Sequence, residues 1–581
     1  MNKNFLLSLI LLLGCSIISV TAKTKTVNIH IIETSDVHGC FFPYDYITRK
    51  PKAGTLARVS GYVKDLRQKG ENVVLLDNGD ILQGQPLCYF SNFIDTTEAN
   101  VAARVCNYLQ YDAETIGNHD VETGHKVYDA WHKAMNYPLL GANVVDTKTG
   151  KPYLKPYTMI ERGGVRIAVI GMLTPAIPSW LSEVLWSGLR FDDMVETAKK
   201  WVSYVKANEH PDVIVGLFHS GKDKGIVTEE YSENQSMQVA QEVDGFDLIL
   251  FGHDHTRFEG AVVNKEGKKV VLLDPANNAL SIAQADITLS QNNGHWQIDN
   301  IDGRLVDLSD LPIDETYVAH FKDFTDKVQK YVGRQIATLK HDIYSRDAFF
   351  GPSAFNDLIH NLQLDLTHAE ISITAPLQFN TKLSQGPIYV SDMFNLCRFE
   401  NQLYVMRLKG EEIRRHLEMS YDQWVNTMKS PDDHLLLLSH STRGDQQRLG
   451  FKNYTFNFDS ADGIDYVVDV TKPDGEKVKI LRMSNGEPFD ENRWYSVAVN
   501  SYRANGGGEL LTRGAGIPRD SLQSRIVWKS QYDLRHYLID WIARQPEFNP
   551  QPNHNWKFVP EDWVVGAAKR DSELLFGKQE E

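Results

Sequence analysis

The stretch Thr34-Ser35-Asp36-Val37-His38-Gly39 follows an apolar run over residues 27–32. A carboxylate and an imidazole two residues apart, just past a strand, can both lean over the strand's end and bind one metal ion. A lone D-x-H sequence is also typical of a solvated turn, so this pair by itself decides nothing. The fold is indicated because four further apolar runs end on the same kinds of ligand.

Each of these four runs is followed, directly or after one glycine, by Asp, Asn or His. They are residues 73–76 before Asp77-Asn78-Gly79-Asp80, 113–116 before Gly117-Asn118-His119-Asp120, 213–218 before His219, and 248–251 before Gly252-His253-Asp254-His255. Helical spacing occurs between them, at Val101, Val105 and Leu109 and at Val195, Ala198, Val202 and Val205. The alternation over residues 27–308 predicts a layered α/β domain with ligands at the carboxyl ends of its strands.

Length and charge limit the classes of protein that remain. The chain has 581 residues and a formal net charge of -15. One hydrophobic core rarely serves so long a chain, so we expect two large domains. The acidic balance argues against a nucleic-acid polymer groove, because binding the phosphate backbone needs clustered Lys and Arg. We therefore expect a small substrate, and an anionic one would be held by metal.

The N-terminus predicts export. Lys3 precedes an apolar run over residues 5–13, which is too short to span a membrane but suits a signal peptide cleaved after Val20-Thr21-Ala22. Alternatively, Leu12-Leu13-Gly14-Cys15 resembles a lipoprotein signal with the lipid on Cys15, although the apolar Ile17-Ile18 favours ordinary cleavage. We expect no transmembrane span and a protein that is either periplasmic and soluble or tethered by lipid.

Four cysteines lie outside this signal, at positions 40, 88, 106 and 397. Export would permit a disulfide. Their spacing lacks C-x-x-C, which argues against a cysteine zinc site. One bridge and four buried free thiols remain as alternatives.

The remaining pattern divides the chain into a signal peptide (1–22), a first domain (23–311), a helix (312–333), a second domain (334–545) and a tail (546–581). The helix is predicted from the spacing of Tyr317, Phe321, Phe324, Val328 and Tyr331, with Asp314 and Glu315 at its start and Gly333 at its end. It could be a core helix or an interdomain connector, and its position favours the connector.

The second domain mixes helices and strands and is predicted to be α+β. Prolines after residue 545 predict a tail that wraps the surface or is partly disordered.

Asp, His and Asn ligands without Cys suit a pair of divalent ions such as Zn²⁺ or Mn²⁺. The candidate ligands are more numerous than the four that one tetrahedral ion needs. Asp80 is the candidate bridge between two ions, because the preceding Gly79 lets the backbone come close. Two ions about 3.5–4 Å apart promote in-line displacement at phosphorus.

The motifs D-x-H-G, G-D-x-x-x-G, G-N-H-D, H-S-G and G-H-D-H, in this order, resemble the calcineurin-like metallophosphoesterase family over residues 27–308. The resemblance implies one ion held by Asp36, His38, Asp80 and His255, and a second held by Asp80, Asn118, His219 and His253. It also implies that His119, with Asn118 beside it, is the catalytic group acting on the leaving group.

This chain departs from relatives that hydrolyse 5'-nucleotides at two positions of the first domain. Glu122 stands where those relatives often have aspartate, and His255 stands where some have glutamine. Glu122 either orients His119 through a longer side chain or pairs with a surface cation.

Stretches of the second domain resemble the C-terminal domain of the 5'-nucleotidase and 2',3'-cyclic-nucleotide phosphodiesterase branch. They are Arg398-Phe399-Glu400-Asn401, Leu408-Lys409-Gly410, residues 461–466 and residues 500–508. The resemblance implies that Phe399 and Tyr502 sandwich a base, with Asn401 and Asn505 contacting its ring or sugar. Such stacking contributes about 1–3 kcal/mol. Without the resemblance, core packing would be the preferred interpretation of either aromatic.

Two segments favour the cyclic-phosphodiesterase and 3'-nucleotidase side of that branch. Residues 372–379 replace the N-G-G-G-x-R segment of typical 5'-nucleotidases, and Gly506-Gly507-Gly508 replaces G-G-D. We therefore expect an exported dimetal phosphohydrolase acting on 2',3'-cyclic nucleotides and 3'-nucleotides. A 5'-nucleotidase or nucleotide-sugar hydrolase is the alternative enzyme. A non-catalytic nucleotide-binding or surface protein is the alternative of another class, and the complete ligand set argues against it.

Overall fold

A computed structural model of the chain describes residues 25–397, 400–443 and 446–577. The predicted signal peptide, Cys15 and the candidate base-stacking residue Phe399 lie outside these residues. Among the helices of the described residues, none is long and apolar enough to cross a membrane.

The first domain alternates strands and helices, as its sequence pattern predicts. Its strands are β1 (Lys25–Thr34), β2 (Tyr44–Asp45), β3 (Lys50–Pro51), β4 (Asn72–Asp77), β5 (Ala113–Thr115), β6 (Leu139–Leu140), β7 (Val144–Asp146), β8 (Tyr157–Arg162), β9 (Val165–Leu173), β10 (Leu189–Phe191), β11 (Val213–His219), β12 (Leu248–Phe251), β13 (Arg257–Val263), β14 (Lys269–Pro275), β15 (Ser281–Asn292) and β16 (His295–Asp307). Its α-helices are α1 (Leu56–Gln68), α2 (Pro86–Tyr89), α3 (Val101–Leu109), α4 (Asn118–Glu122), α5 (His125–Ala134), α6 (Ile177–Trp180), α7 (Met194–Asn208), α8 (Ser236–Glu242), α9 (Glu315–His320) and α10 (Lys322–Val332).

Two mixed six-stranded sheets form the centre of this domain, in the orders β16-β15-β1-β4-β5-β6 and β13-β14-β12-β11-β9-β8. The ligand-bearing strands β1, β4 and β5 are parallel neighbours in the first sheet, and β11 and β12 are parallel neighbours in the second. Their carboxyl ends therefore meet at one edge of the pair of sheets, which is where the candidate ligands lie.

Side-chain alternation along the strands explains why the sheets stack. In β1, Ile29 and Ile31 face the core shared with Val215 and Leu217 of β11, whereas Ile32 faces the helices on the other side. In β11, the intervening Ile214 and Phe218 pack against the core that contains α7 and α8. Both sheets are thus buried on both faces, giving the order helix, sheet, sheet, helix.

The segment predicted as one helix over residues 312–333 is two helices, α9 and α10, which meet at Phe321. Asp314 caps the first and Gly333 ends the second, as expected. The apolar spacing continues through the break because Tyr317, Phe321 and Val328 are all buried in the first domain's core. The prediction of one continuous helix is wrong, because two helices meet at Phe321. The pair packs mainly in the first domain's core and joins the two domains along the chain, and Tyr331 of α10 also packs against a core of the second domain.

The second domain is α+β. Its strands are β17 (Gln335–Leu339), β18 (Ile343–Tyr344), β19 (Ile371–Thr374), β20 (Lys382–Leu383), β21 (Gly386–Tyr389), β22 (Gln402–Lys409), β23 (Leu438–Arg443), β24 (Gln446–Phe451), β25 (Ser460–Asp462), β26 (Ile464–Asp469), β27 (Val478–Met483), β28 (Trp494–Asn500), β29 (Ile526–Asp533), β30 (Glu547–Phe548) and β31 (Trp556–Val559). Its α-helices are α11 (Ala354–Thr367), α12 (Val390–Leu396), α13 (Gly410–Trp424), α14 (Ser501–Ala504), α15 (Leu522–Arg525), α16 (Leu534–Ala543) and α17 (Glu561–Phe576). The main sheet has the order β25-β19-β28-β22-β29.

Residues 547–576 belong to this domain and do not form a surface tail. β31 pairs in parallel with β26, and its alternating Trp556 and Phe558 are buried in the domain core. Val564 and Ala567 of α17 join the same core. The prolines that suggested a tail, at positions 546, 550, 552 and 560, lie outside the strands and helices, where no strand hydrogen bond is required.

The two domains contact each other directly. The Tyr89 hydroxyl donates to Asp533 Oδ2 at 2.8 Å, and the Arg535 guanidinium lies 5.1 Å from the Tyr89 ring and 4.2 Å from the Phe394 ring. The four cysteines at positions 40, 88, 106 and 397 are all buried; those at 88, 106 and 397 are free thiols, and the Cys40 thiol donates to Asn278 Oδ1 at 3.2 Å.

Candidate metal centre

The structure brings all seven candidate metal ligands to the shared edge of the two sheets. They lie in the turns after β1 (Asp36, His38), β4 (Asp80) and β12 (His253, His255), at the first residue of α4 (Asn118) and at the end of β11 (His219). Parallel strands place their carboxyl ends side by side, so the topology concentrates these ligands.

Asp36, His38, Asp80 and His255 form the first ligand group, in which one ligand atom per residue lies within 4.8 Å of the others. His255 Nε2 is 3.3 Å from Asp36 Oδ1 and 3.1 Å from His38 Nε2. Asp36 Oδ1 is buried and accepts no hydrogen bond of good geometry from the described residues. A buried carboxylate oxygen facing two imidazole nitrogens fits a divalent cation.

Asp80, His219 and His253 form the second ligand group under the same distance limit. His219 Nε2 lies 3.3 Å from Asp80 Oδ2 and 3.0 Å from Asn118 Oδ1, which adds the amide oxygen to this group. Asp80 belongs to both groups. It therefore occupies the position that a bridging carboxylate requires.

Two glycines allow the turns carrying Asp80 and Asn118 to approach this closely. Gly79 has φ +83, and a Cβ there would lie 2.5 Å from the Gly117 nitrogen. At Gly117, a Cβ would lie 2.2 Å from Asp80 Oδ1. The close approach expected from Gly79 is thus present, and Gly117 supplies its counterpart.

Five of the ligands adopt a left-handed backbone: φ is 50° at Asp36, 48° at His38, 57° at Asp80, 77° at His253 and 56° at His255. Such conformations cost about 1–3 kcal/mol each and persist where surrounding contacts enforce them. The backbone N–H of Asp36 donates to the Gly79 carbonyl, and that of His38 donates to the Asp80 carbonyl, both at 3.0 Å. These backbone hydrogen bonds therefore help to hold the ligand residues in conformations that would otherwise be unfavourable.

Asp120 is a positioning residue that sequence reasoning missed. Its buried carboxylate accepts hydrogen bonds from the backbone N–H groups of Asp80, Gly117, Ile81 and Leu82 at 2.8–2.9 Å. It joins the Asp80 turn to the start of α4. The signal was present as the last residue of G-N-H-D, but nothing local indicated that its carboxylate faces backbone rather than metal.

Hydrogen bonds to the distal ring nitrogens orient the imidazoles. His38 Nδ1 lies 3.2 Å from the Gln83 carbonyl and His219 Nδ1 lies 2.6 Å from the Asn78 carbonyl. Each ring therefore presents Nε2 to its ligand group. In His255, Nδ1 faces the Asn277 side-chain amide at 3.1 Å, and Nε2 again points inward.

The pKa shifts show that the carboxylates of the site are negatively charged and can attract cations. Burial by itself raises the pKa of Asp36, but His255 and His219 outweigh it and lower the pKa to about 2. Burial is likewise outweighed at Asp80, whose pKa His219 and His119 hold well below its usual range. At His219, the charge of Asp80 overcomes burial and raises the pKa to about 10. Both carboxylates are ionised at neutral pH and attract cations.

His119 belongs to neither ligand group and lies beside both. Its backbone N–H donates to Asp80 Oδ1 at 2.8 Å, and its ring Nδ1 lies 2.5 Å from Glu122 Oε2. Burial lowers the pKa of His119, but the charges of Asp80 and Glu122 outweigh burial and raise it to about 9. Of the two alternatives for Glu122, the structure shows pairing with His119.

The candidate substrate residues Tyr502, Asn401 and Asn505 differ in their burial and in their hydrogen-bond partners. Tyr502 is half-buried, with Phe456 edge-on at 6.0 Å, and lies near enough to Glu233 of the first domain for that charge to act on it. Asn401 Oδ1 accepts a hydrogen bond from the Ser501 hydroxyl at 3.4 Å. Asn505 is buried and its amide is used within the protein, donating to the Ser501 carbonyl and accepting from Gln523. As placed, Asn505 stabilises the short helix α14 that carries Tyr502.

The donor set fits two divalent ions, because carboxylate, imidazole and amide ligands converge on two points that share Asp80. Ions of the Zn²⁺ or Mn²⁺ type at such a site polarise phosphate oxygens and activate water. The residues are therefore suited to hydrolysis at phosphorus, with His119 available for proton transfer.

Comparison with known proteins matches two stretches of the chain to two different families. Residues 29–257 match the family described as calcineurin-like phosphoesterase, and residues 335–513 match the 5'-nucleotidase C-terminal domain. The chain is 27% identical to the trifunctional nucleotide phosphoesterase protein YfkN of Bacillus subtilis (strain 168), over 92% of this chain but only 39% of that protein's length.

Two further similarities extend over both domains. The chain is 27% identical to the 2',3'-cyclic-nucleotide 2'-phosphodiesterase/3'-nucleotidase of Salmonella typhimurium, over 94% of this chain and 91% of that protein. The crystal structure of a Staphylococcus aureus protein in complex with alpha-ketoglutarate superposes with a TM-score of 0.71 at 22% identity, covering 91% of this chain and 99% of that one. This last similarity concerns the fold. The chain therefore combines a calcineurin-like phosphoesterase domain with a 5'-nucleotidase C-terminal domain, and it is a metal-dependent phosphoester hydrolase.

Proposed function

We propose that this protein is an exported hydrolase that uses two divalent ions to open 2',3'-cyclic nucleotides and to remove phosphate from 3'-nucleotides. The observation that carries the proposal is the position of Asp80, which belongs to both ligand groups while its Oδ1 accepts the backbone N–H of His119. A shared carboxylate with a histidine held just outside the ligand set suits in-line displacement at phosphorus.

Each residue then has a defined task. Asp36, His38, Asp80 and His255 would hold one ion, and Asp80, Asn118, His219 and His253 the other; bound there, the ions would supply Lewis-acid activation of the phosphate. Glu122 accepts from His119 Nδ1, which leaves Nε2 as the nitrogen available to the leaving oxygen. His119 would donate its proton to that oxygen and stabilise the developing charge. Glu122 would keep the imidazole in the required orientation.

The second domain would bind the nucleoside. Tyr502 supports this role because it is half-buried and close to Glu233, whose carboxylate contacts His253 of the second ligand group. A base stacked on Tyr502 would thus place its ribose phosphate toward the ions. Phe399 remains the expected partner on the other face of the base, and Asn401 the expected polar contact.

The choice of substrate class rests on two kinds of support. Residues 372–379 and 506–508 depart from the typical 5'-nucleotidase segments, and the Salmonella relative named for cyclic phosphodiesterase and 3'-nucleotidase activity aligns over 94% of this chain. The runner-up, a 5'-nucleotidase, is supported by the match of residues 335–513 to the 5'-nucleotidase C-terminal domain. Export rests on the signal-peptide pattern of residues 1–22.

A substrate panel tests the proposal. Purified full-length protein loaded with Mn²⁺ or Zn²⁺ would be assayed on 2',3'-cyclic AMP, 3'-AMP, 5'-AMP and UDP-glucose at equal concentration, with His119→Ala as the matched control. We expect the cyclic and 3' substrates to be turned over fastest. Fastest hydrolysis of 5'-AMP or UDP-glucose would favour the runner-up, and metal binding without any turnover would favour a binding protein.

A further inference from the structure

A loop after β11 returns to the metal centre and carries a carboxylate that no motif identifies. The loop leaves His219 and ends at Glu233, whose backbone carbonyl accepts from the Thr174 hydroxyl at 2.8 Å and the Ser220 hydroxyl at 2.9 Å. The Glu233 backbone N–H donates to the Ile226 carbonyl at 2.8 Å. Hydrogen bonds at both its carbonyl and its N–H therefore fix the position of the Glu233 backbone.

The side chain of Glu233 contacts a candidate ligand of the second group. Its Oε1 lies 3.1 Å from His253 Nε2, while Oε2 accepts from the Ile226 backbone N–H at 2.6 Å. The two side chains are only 15% and 11% exposed. Because Nε2 of His253 is engaged by the carboxylate, Nδ1 is the ring nitrogen left for an ion.

The partner of His253 differs in kind from those of the other three ligand imidazoles. His38 and His219 are paired with backbone carbonyls, and His255 with a side-chain amide. A carboxylate fixes the tautomer of a ligating histidine and raises its basicity more than a neutral partner does. Among the four ligand imidazoles, His253 is therefore the one whose tautomer and basicity are most strongly affected by its hydrogen-bond partner.

We propose that Glu233 is a positioning residue that holds His253 with Nδ1 toward the second ligand group and strengthens ion binding there. This inference rests on the metal centre proposed above. It also gives the loop over residues 220–233 a function, because that loop places the carboxylate at the edge of the sheets.

The test measures Mn²⁺ binding rather than activity alone. Full-length protein freed of metal would be titrated with Mn²⁺ by calorimetry as wild type and as Glu233→Gln, which preserves shape and removes the charge. Two controls isolate the contact: Glu230→Gln removes an exposed charge from the same loop, and Asn234→Ala removes a loop anchor, since Asn234 Oδ1 accepts from the Gly221 N–H at 2.9 Å. The visible spectrum of the Co²⁺-loaded proteins would report ligand geometry.

We expect Glu233→Gln to raise the Kd of one of the two Mn²⁺ ions by about 10- to 100-fold and to change the Co²⁺ spectrum, the usual scale for loss of such a partner. Both controls should leave the Kd values and the spectrum unchanged. An unchanged Kd in Glu233→Gln, or an equal loss in Asn234→Ala, overturns the role of Glu233 while the centre stands. A wild type that binds fewer than two Mn²⁺ ions overturns the centre and this inference together.

Discussion

Replacing Asp120 by asparagine should damage the centre without touching a ligand. Asp120 Oδ2 accepts from the backbone N–H groups of Asp80 and Gly117, and Oδ1 accepts from those of Ile81 and Leu82. In Asp120→Asn, one of these oxygens becomes an amide nitrogen that faces two N–H donors, whichever way the amide is rotated. Two hydrogen bonds to a charged acceptor are then lost, at about 1.5–3 kcal/mol each.

The expected loss in unfolding free energy is therefore about 3–6 kcal/mol. Thermal denaturation of the full-length protein should show a fall in Tm of at least about 6 °C, at about 2 °C per kcal/mol for a domain of this size. Mn²⁺ affinity should fall as well, because the Asp80 turn loses its anchor. Asp65→Asn is the matched control, since Asp65 is 58% exposed and pairs with the exposed Lys69. A variant Asp120→Asn with the Tm and Mn²⁺ affinity of wild type would refute the anchoring role.

Three further predictions concern catalysis by His119, substrate binding by Tyr502 and the stability that Asp314 contributes. His119→Ala should lose at least about 10²-fold in turnover with its metal content unchanged, and Glu122→Gln should show a milder loss; release of metal would instead make His119 a ligand. Tyr502→Ala should weaken binding of 2',3'-cyclic AMP by about 5- to 150-fold while sparing hydrolysis of bis(4-nitrophenyl) phosphate, whereas equal losses on both would indicate a docking defect between the domains. At Asp314, burial is outweighed by hydrogen bonds from Thr316, Lys64 and Ser60, which lower the pKa from 3.8 to about 2. Asp314 therefore stabilises the fold above its unfolded pKa, and Asp314→Asn should lower Tm at neutral pH by an amount that shrinks as pH falls through that interval; a pH-independent difference would contradict this.

The local patterns of the sequence were sufficient to place the ligand-bearing strands and many helices. The turns after β1, β4, β11 and β12 begin where the apolar runs end, because a strand buried on both faces reads as a continuous apolar run. Helical spacing likewise located α3 and α7. The order and stacking of the two sheets depend on pairings between distant strands, which no local window contains.

The supporting residues of the centre could not be predicted for the same reason. Glu233 contacts His253 across twenty positions of sequence, and Asp120 acts on a turn about forty positions earlier. No local pattern indicates what either side chain contacts, since each contact depends on where the fold brings distant segments together. Phe321 shows the converse case, in which a continuous apolar spacing conceals a break between two helices that bury the same side.

The bridged pair of ions is tested most directly by anomalous diffraction from crystals of the full-length protein grown with Mn²⁺. The proposed centre predicts two anomalous peaks about 3.5–4 Å apart, one on each side of the Asp80 carboxylate, with His219 and His253 nearest to one peak and His38 and His255 nearest to the other. A single peak, or two peaks that do not share Asp80, would contradict it.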